Sequence, residues 1–332
     1  QIYDPVTRGW RNRSSVRAED GTFDMSVRKW TWSDVLEVLM GREPKPKAPS
    51  DTSTKVKKEE SFKPFFDLLK ELGLVKEEAD LKSVIEASGF ENSEVGAVRH
   101  AVKAHFRPDV IKKLAAVPEA TLKAQPWGKD PAYDWSNPET VHAARHRYAD
   151  QELGKLDNSD KGNLMEDFIQ ATERPNATQH VHMSKADLGK YGIDPRGKES
   201  RKVDLADKGE PGKSAPVSEE IKSGEIGPDD VKQVSVNADV VAKKMPIGKD
   251  AVTPEQTFLR MTSAKAAKSA REDLIDLLST YQKELTVIVY NNKGFSRTVT
   301  YDGRPATAGG PKTESIDFLR NQKAFEDWLA LE

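Results

Sequence analysis

The apolar residues of this 332-residue chain come in short runs, and this feature restricts its possible folds most strongly. The longest runs hold about four apolar residues, whereas a helix needs roughly 20 to cross a bilayer. Hydrophobic residues make up 36% of the chain and charged residues 32%. Ordinary globular chains have roughly 45–50% apolar residues, glycine included, and about 25% charged residues. The sequence therefore predicts a soluble protein with thin buried layers and no membrane partner.

The ionisable residues exclude several kinds of chemistry. The chain has no cysteine, so it can form neither disulfides nor cysteine-ligated zinc or iron–sulfur sites. Its 52 Lys and Arg nearly balance 54 Asp and Glu, which gives a formal net charge of -2. A chain with this charge has no overall attraction to nucleic acid or to an anionic membrane. Any such binding has to be local.

Two polar stretches divide the chain. Residues 43–60 are rich in proline and lysine and offer almost nothing to bury, which is typical of a linker. Residues 189–230 combine Gly, Pro and alternating charge, which indicates an extended connector. Elsewhere, apolar stripes with helical spacing predict short helices. The predicted boundaries are 1–42 for an N-terminal arm and short helix, 43–60 for a linker, 61–117 for a helical domain, 118–188 for a loop and helical segment, 189–250 for an extended connector and 251–332 for an α+β domain.

The clearest local pattern lies near the C-terminus. Residues 285–290 and 295–301 are rich in β-branched and aromatic side chains and flank the turn Asn-Asn-Lys-Gly at 291–294. This pattern predicts a β-hairpin over 285–301. The predicted fold class is therefore mostly α with a smaller α+β C-terminal part, in which a helical domain and a hairpin-containing domain are joined by extended linkers.

No motif predicts a catalytic residue. The segment Gly-Pro-Lys-Thr at 310–313 resembles the end of a phosphate-binding loop, but Pro311 has no backbone N–H to offer a phosphate. The segment 157–168 begins like a calcium loop, but Lys161 and Phe168 stand where oxygen donors are needed. The sequence predicts neither a nucleotide nor a calcium site.

Four histidines form two pairs with ligand-like spacing. His142 and His146 are four residues apart and share one face of a predicted helix. His180 and His182 alternate on a possible strand. Together they could bind one zinc or another divalent ion, although the sequence does not place the two pairs side by side.

Basic residues are clustered in two places that suit nucleic-acid binding. In the N-terminal arm an aromatic residue stands among arginines, an arrangement in which the ring can stack on a base. A second basic run lies on a predicted helix. The candidate nucleic-acid-binding residues are Arg8, Trp10, Arg11, Arg13, Arg99, Lys103 and Arg107.

The two ends of the chain carry a further signal. The first residue is Gln1, and the last three are Ala330, Leu331 and Glu332. These ends resemble the products of the head-maturation proteases of large tailed phages, which cut after short motifs ending in Glu. The resemblance implies a proteolytically processed virion component such as a phage head protein.

The leading hypothesis from the sequence is a non-enzymatic structural or interaction protein of a larger assembly. Long polar arms and linkers bury little in a monomer, which favours partners that order them. The expected partners are other protein subunits, no cofactor is expected, and the expected location is a virion or else the cytoplasm. Two alternatives stay open: a nucleic-acid-binding, nucleocapsid-like protein, and a metal-dependent hydrolase or toxin-like enzyme centred on the histidines.

Overall fold

A computed structural model of the chain describes residues 2–4, 9–11, 31–42, 62–89, 95–210, 214–305 and 313–330. The chain divides into two compact units, Gln1–Lys113 and Leu114–Glu332. The predicted linker at 43–60 lies outside the described residues. Every residue of the candidate site described below belongs to the second unit.

The described part of the first unit consists of helices and one pair of short strands. Its elements are β1 (Ile2–Asp4), β2 (Gly9–Arg11), α1 (Trp32–Leu39), α2 (Lys63–Glu71), a 3-10 helix (Glu78–Leu81), α3 (Lys82–Ala87) and α4 (Val95–Ala115), whose last two residues are assigned to the second unit. Strands β1 and β2 pair in antiparallel register. Helix α1 is capped by Thr31, whose hydroxyl accepts a hydrogen bond from the Asp34 N–H. Helix α2 buries Phe65 and Leu69.

The second unit alternates helices and strands. Its elements are α5 (Glu119–Ala124), a 3-10 helix (Pro126–Lys129), α6 (Pro138–Leu153), α7 (Asn158–Glu173), β3 (Thr178–Ser184), α8 (Lys185–Lys190), β4 (Ser200–Asp207), β5 (Val217–Lys222), α9 (Pro228–Ala242), β6 (Gln256–Met261), α10 (Ala264–Ser269), α11 (Arg271–Thr280), β7 (Leu285–Tyr290), β8 (Ser296–Thr300), β9 (Thr313–Ser315), α12 (Asp317–Arg320) and α13 (Gln322–Ala330). Among the described residues, no helix is both long and apolar enough to cross a membrane.

Strands β3 to β9 form one mixed sheet whose spatial order follows the order of the sequence. β3, β4 and β5 pair in antiparallel register, and β5, β6 and β7 are parallel. β7 and β8 form an antiparallel pair at the position of the predicted hairpin, and β9 adds in parallel to β8. The parallel neighbours β5 and β6 are connected through α9, and β6 and β7 through α10 and α11; such connections supply the long crossover that parallel strands need.

The two helices nearest the site begin at residues suited to a helix start. At α7, the Asp157 carboxylate accepts a hydrogen bond from the Asp160 N–H at 2.9 Å. Helix α9 has Pro228 in its first turn, and the Asp230 carboxylate accepts a hydrogen bond from the Gly227 N–H at 2.9 Å. Each carboxylate satisfies a backbone donor that the helix itself leaves unpaired, and this fixes where the helix begins.

The centre of the sheet is buried on both faces. All six residues of β7 are buried, which is typical of a strand with parallel neighbours and a layer on each side. One face presents Leu259 and Val287 to a core shared with α10, α11 and α13. Phe258 and Tyr290 alternate with those residues and belong to a separate small core on the opposite face.

The turn between β7 and β8 touches helix α6. Gly294 has a φ of 81°, and a Cβ at this position would lie 2.1 Å from the Ala143 carbonyl oxygen. The Asn291 carboxamide oxygen accepts hydrogen bonds from the Lys293 and Phe295 N–H groups, both at 3.0 Å. Glycine at 294 is therefore needed both for the backbone conformation and for the close approach of the turn to α6.

The predicted fold class, mostly α with a smaller α+β C-terminal part, is wrong. Strands and helices are interspersed, and a seven-stranded mixed sheet runs through the second unit. Strands β3 to β5 lie in segments predicted as a loop and helical segment and as an extended connector. Strands β4 and β5 were missed because they bury charged side chains at positions where alternating apolar residues were expected, as at Asp204, Glu219 and Glu220.

Candidate metal centre and buried arginine network

Acidic and basic side chains from α7, β3, β4 and β5 meet beside the first strands of the sheet. We call this group the carboxylate–lysine cluster, and its members are Glu166, His180, Lys202, Asp204, Glu220 and Lys222. On β4, Lys202 and Asp204 are two residues apart, and on β5 so are Glu220 and Lys222. This spacing places each pair on one face of its strand.

Three members of the cluster are placed as a set of metal ligands. One ligand atom each from Glu166, His180 and Asp204 lies within 4.8 Å of the other two. The Glu166 Oε2 atom lies 3.6 Å from His180 Nδ1, and it is buried without a hydrogen-bond partner. Asp204 Oδ2 accepts a hydrogen bond from the Ile221 N–H at 2.9 Å, and this bond fixes the orientation of the Asp204 carboxylate. The donor set is two carboxylates and one imidazole.

The ammonium group of Lys202 lies among the same three ligands. Its Nζ is 2.9 Å from Asp204 Oδ1, 3.1 Å from His180 Nδ1 and 3.9 Å from Glu166 Oε2. An ammonium group can only donate hydrogen bonds. A hydrogen bond between these two groups therefore has His180 Nδ1 as its acceptor and the ring proton on Nε2.

The β5 side of the cluster is built around Glu220, which is 3% exposed. Lys222 Nζ lies 2.9 Å from Glu220 Oε1 and 2.8 Å from Asp230 Oδ1. The Asn237 amide on α9 donates a hydrogen bond to the other oxygen of Glu220 at 3.4 Å. Lys222 is thus held between a strand carboxylate and the start of helix α9.

The electrostatics of the cluster show excess negative charge. Burial and the nearby Asp204 carboxylate raise the pKa of Glu166 to about 7 and that of Glu220 to about 8. Burial opposes charge on Lys222, but Glu220 raises the pKa of this lysine above its ordinary value. Carboxylates crowded together in a poorly solvated site resist simultaneous ionisation.

A divalent cation fits this charge distribution. The contacts at Lys202 and Lys222 link two ammonium groups to four carboxylates, a formal charge of -2 when all are ionised: Glu166, Asp204, Glu220 and Asp230. A divalent ion would neutralise that charge and would give the buried Glu166 Oε2 atom a partner. Oxygen-rich sites of this kind suit hard divalent cations.

A second group of polar side chains lies deeper in the sheet, and we call it the buried arginine network. Its members are Glu173, Glu219, Arg260 and Tyr290. Arg260 Nη1 lies 2.6 Å from Glu173 Oε2, and its Nε donates to Glu219 Oε1. The Tyr290 hydroxyl accepts a hydrogen bond from Arg260 at 2.6 Å and donates one to Glu173 at 2.7 Å. The network joins α7, β5, β6 and β7.

The protonation of this network is set by burial and pairing. Burial raises the pKa of Glu173, but the Arg260 guanidinium and His142 lower it by a larger amount. The resulting pKa lies well below the usual range of a carboxyl group. His146 is 1% exposed, stacks on the Tyr290 ring at 3.7 Å and has no hydrogen-bond partner on either ring nitrogen. Burial lowers the pKa of His146 to about 3, which keeps it neutral.

The structure distributes the four candidate histidines over three environments. His142 lies 3.4 Å from Glu173, at the rim of the arginine network. His146 is buried against Tyr290, and His182 is exposed on β3. Only His180 belongs to the set of described His, Asp and Glu residues whose ligand atoms converge.

The candidate nucleic-acid-binding residues lie in the first unit. Arg8 and Arg13 lie outside the described residues, and Trp10 and Arg11 belong to strand β2. Arg99, Lys103 and Arg107 follow one another at four-residue spacing on α4, and all three are partly buried. Lys103 Nζ lies 5.9 Å from the centre of the Phe65 ring, which is a cation–π distance.

Sequence reasoning missed Glu166, Lys202, Asp204, Glu220 and Lys222. The signal that could have found them is the alternation of charge in two short segments, Lys-Val-Asp at 202–204 and Glu-Ile-Lys at 220–222. Each segment reads as charged–apolar–charged, so a strand there presents two ionisable groups on one face. Comparison of the chain with known protein-family models, with curated proteins and with solved structures gives no match.

Proposed function

We propose that the protein is a divalent-metal-dependent hydrolase that cleaves phosphodiester bonds in nucleic acid. The observation that carries this proposal is the convergence of Glu166, His180 and Asp204 on one point, with Glu220 and Lys222 beside it. Carboxylates and imidazole hold the cation, and lysines next to it suit an anionic substrate. The proposal develops the metal-dependent hydrolase that the sequence left open as an alternative. It keeps His180 as a ligand and replaces the other three histidines with Glu166 and Asp204.

Each residue has a role that its position supports. Glu166, His180 and Asp204 would hold a divalent cation, which would supply Lewis-acid polarisation of the phosphate and make water a better nucleophile. Burial raises the pKa of Glu220 to about 8, so its ionised form, which is populated above neutral pH, can accept a proton from water. The Lys222 ammonium stabilises the negative charge that builds up on the phosphate oxygens.

The surroundings of the cluster favour a polyanionic substrate. The loop between α8 and β4 carries Arg196 and Lys198, and Arg201 on β4 stands directly before Lys202 of the cluster. Lys198 is 53% exposed and forms its ion pair with the 60% exposed Asp229. Exposed ion pairs of this kind contribute little to stability. Lys198 can therefore leave Asp229 and bind a phosphate of a nucleic-acid backbone.

The test is hydrolysis of single- and double-stranded DNA and RNA with Mg²⁺ or Mn²⁺ added after removal of metal. The wild-type chain is expected to cleave at least one of these polymers, and EDTA is expected to stop the reaction. Asp204→Asn and Lys222→Met are expected to lower the rate by at least about 100-fold, because each removes a group from the reacting centre.

Glu225→Gln is the matched control, because Glu225 is an exposed carboxylate three residues after Lys222. It should cleave at the wild-type rate. Cleavage that survives both EDTA and Asp204→Asn would refute the proposal, as would a folded, metal-loaded protein that cleaves none of the four polymers.

The assembly role and the virion origin stay predictions. The described residues add no observation to them. Light scattering of the purified chain tests the assembly role, because a component of a larger assembly is expected to form a defined oligomer and not a stable monomer.

A further inference from the structure

The only nitrogen donor among the three converging ligands is His180, and its backbone is unusual. His180 has a φ of 52°, in the left-handed region that few non-glycine residues adopt. Pairing of β3 with β4 is regular on both sides, with Gln179 opposite Leu205 and Val181 opposite Val203. The distortion is therefore confined to the position opposite Asp204.

The Nδ1 atom of His180 lies between a lysine and a carboxylate. Lys202 can only donate, so His180 Nδ1 accepts from it at 3.1 Å and carries a lone pair. The same Nδ1 faces Glu166 Oε2 at 3.6 Å. A cation in place of the Lys202 ammonium would have this ring nitrogen and the Glu166 carboxylate as ligands.

We propose that His180 binds the metal through Nδ1 and makes the site select Mn²⁺ over Mg²⁺. Mg²⁺ prefers oxygen ligands and gives up its water reluctantly, whereas imidazole binds transition-metal ions better. Mn²⁺ accepts carboxylates and imidazole together. This inference rests on the proposed function, because it assigns a metal preference to the same site.

The test is calorimetric titration of the metal-free 332-residue chain with MnCl₂ and with MgCl₂. The wild-type chain is expected to bind Mn²⁺ at least about 100-fold more tightly than Mg²⁺. In His180→Asn this ratio is expected to fall by at least about tenfold, mainly through weaker Mn²⁺ binding. Asparagine suits the test because it tolerates a positive φ and offers an oxygen ligand in place of the ring nitrogen.

His182→Asn is the matched control, because His182 lies two residues further along β3 and is exposed. It should keep the wild-type ratio. A ratio that is unchanged in His180→Asn, while both ions still bind, would overturn the inference and leave the proposed function standing. Failure of the wild-type chain to bind either ion would overturn both.

Pulsed electron paramagnetic resonance of the Mn²⁺-loaded wild-type chain gives an independent measurement that needs no variant. Coupling to one imidazole nitrogen is expected, and its absence would refute ligation by His180. Selective Mn²⁺ binding without cleavage of any nucleic acid would support the role of His180 and refute the hydrolase proposal, so the two failures are distinguishable.

Discussion

Replacing Lys202 with methionine should strengthen metal binding. The Lys202 ammonium contacts Asp204, His180 and Glu166 at 2.9, 3.1 and 3.9 Å, so a cation must displace it to reach the same ligands. A hydrogen bond to a charged group contributes roughly 1.5–3 kcal/mol. Because the Lys202 side chain is 36% exposed, we take about 1.5 kcal/mol for the ammonium that a metal displaces. Removing this competition should raise the Mn²⁺ association constant about tenfold.

Titration calorimetry of the metal-free chain measures this change directly. Methionine keeps the apolar stem of Lys202, so the packing around it should be preserved. Lys198→Met is the control, because Lys198 is 53% exposed and pairs with an exposed Asp229; its Mn²⁺ affinity should equal that of the wild type. An unchanged or weaker affinity in Lys202→Met would refute the argument that the ammonium group and the metal compete.

Three further predictions concern stability. The pKa values of Glu166 and Glu220 are raised from 4.5 to about 7 and about 8 in the folded chain. Their protonated forms stabilise the fold fully below about pH 4.5, and this stability should be lost as the pH rises through about 7 and about 8. Thermal unfolding in chelator should show this loss, and Glu220→Gln should reduce it. Arg260→Met removes the guanidinium that pairs with Glu173 and with the buried Glu219, and it should lower the free energy of unfolding in urea by about 3–5 kcal/mol; an effect below about 1 kcal/mol would contradict this. Gly294→Ala should cost at least about 2 kcal/mol, while Gly224→Ala, where no atom lies within 4 Å of the added Cβ, should stay within about 0.5 kcal/mol.

The sequence was most informative where burial is purely apolar. Strand β7 lies at residues 285–290 and is wholly buried, and its β-branched residues mark it as a strand without any tertiary information. The stripe through Phe65 and Leu69 is buried on α2 in the same way. In these elements the apolar side chains determine both the local structure and its burial, so periodicity suffices.

The same reasoning from apolar periodicity failed at the candidate site. Strands β4 and β5 bury Asp204, Glu219 and Glu220, and a pattern of charges in a Gly- and Pro-rich stretch indicates a solvated connector. Only the tertiary structure supplies the partners that make this burial tolerable, such as Arg260 from β6. Of the site residues, the sequence indicated only His180, because its spacing from His182 resembles a ligand pair.

The carboxylate–lysine cluster and the buried arginine network are linked through α7 and β5, because each element carries residues of both. Glu166 and Glu173 are seven residues apart on α7, which puts them on one face about two turns apart. Glu219 and Glu220 are neighbours on β5 and point to opposite faces. Arg260 binds Glu173 and Glu219, so it ties this helix to this strand against the repulsion between the carboxylates of the metal centre. The arginine network thereby holds α7, which carries Glu166, against β5, which carries Glu220.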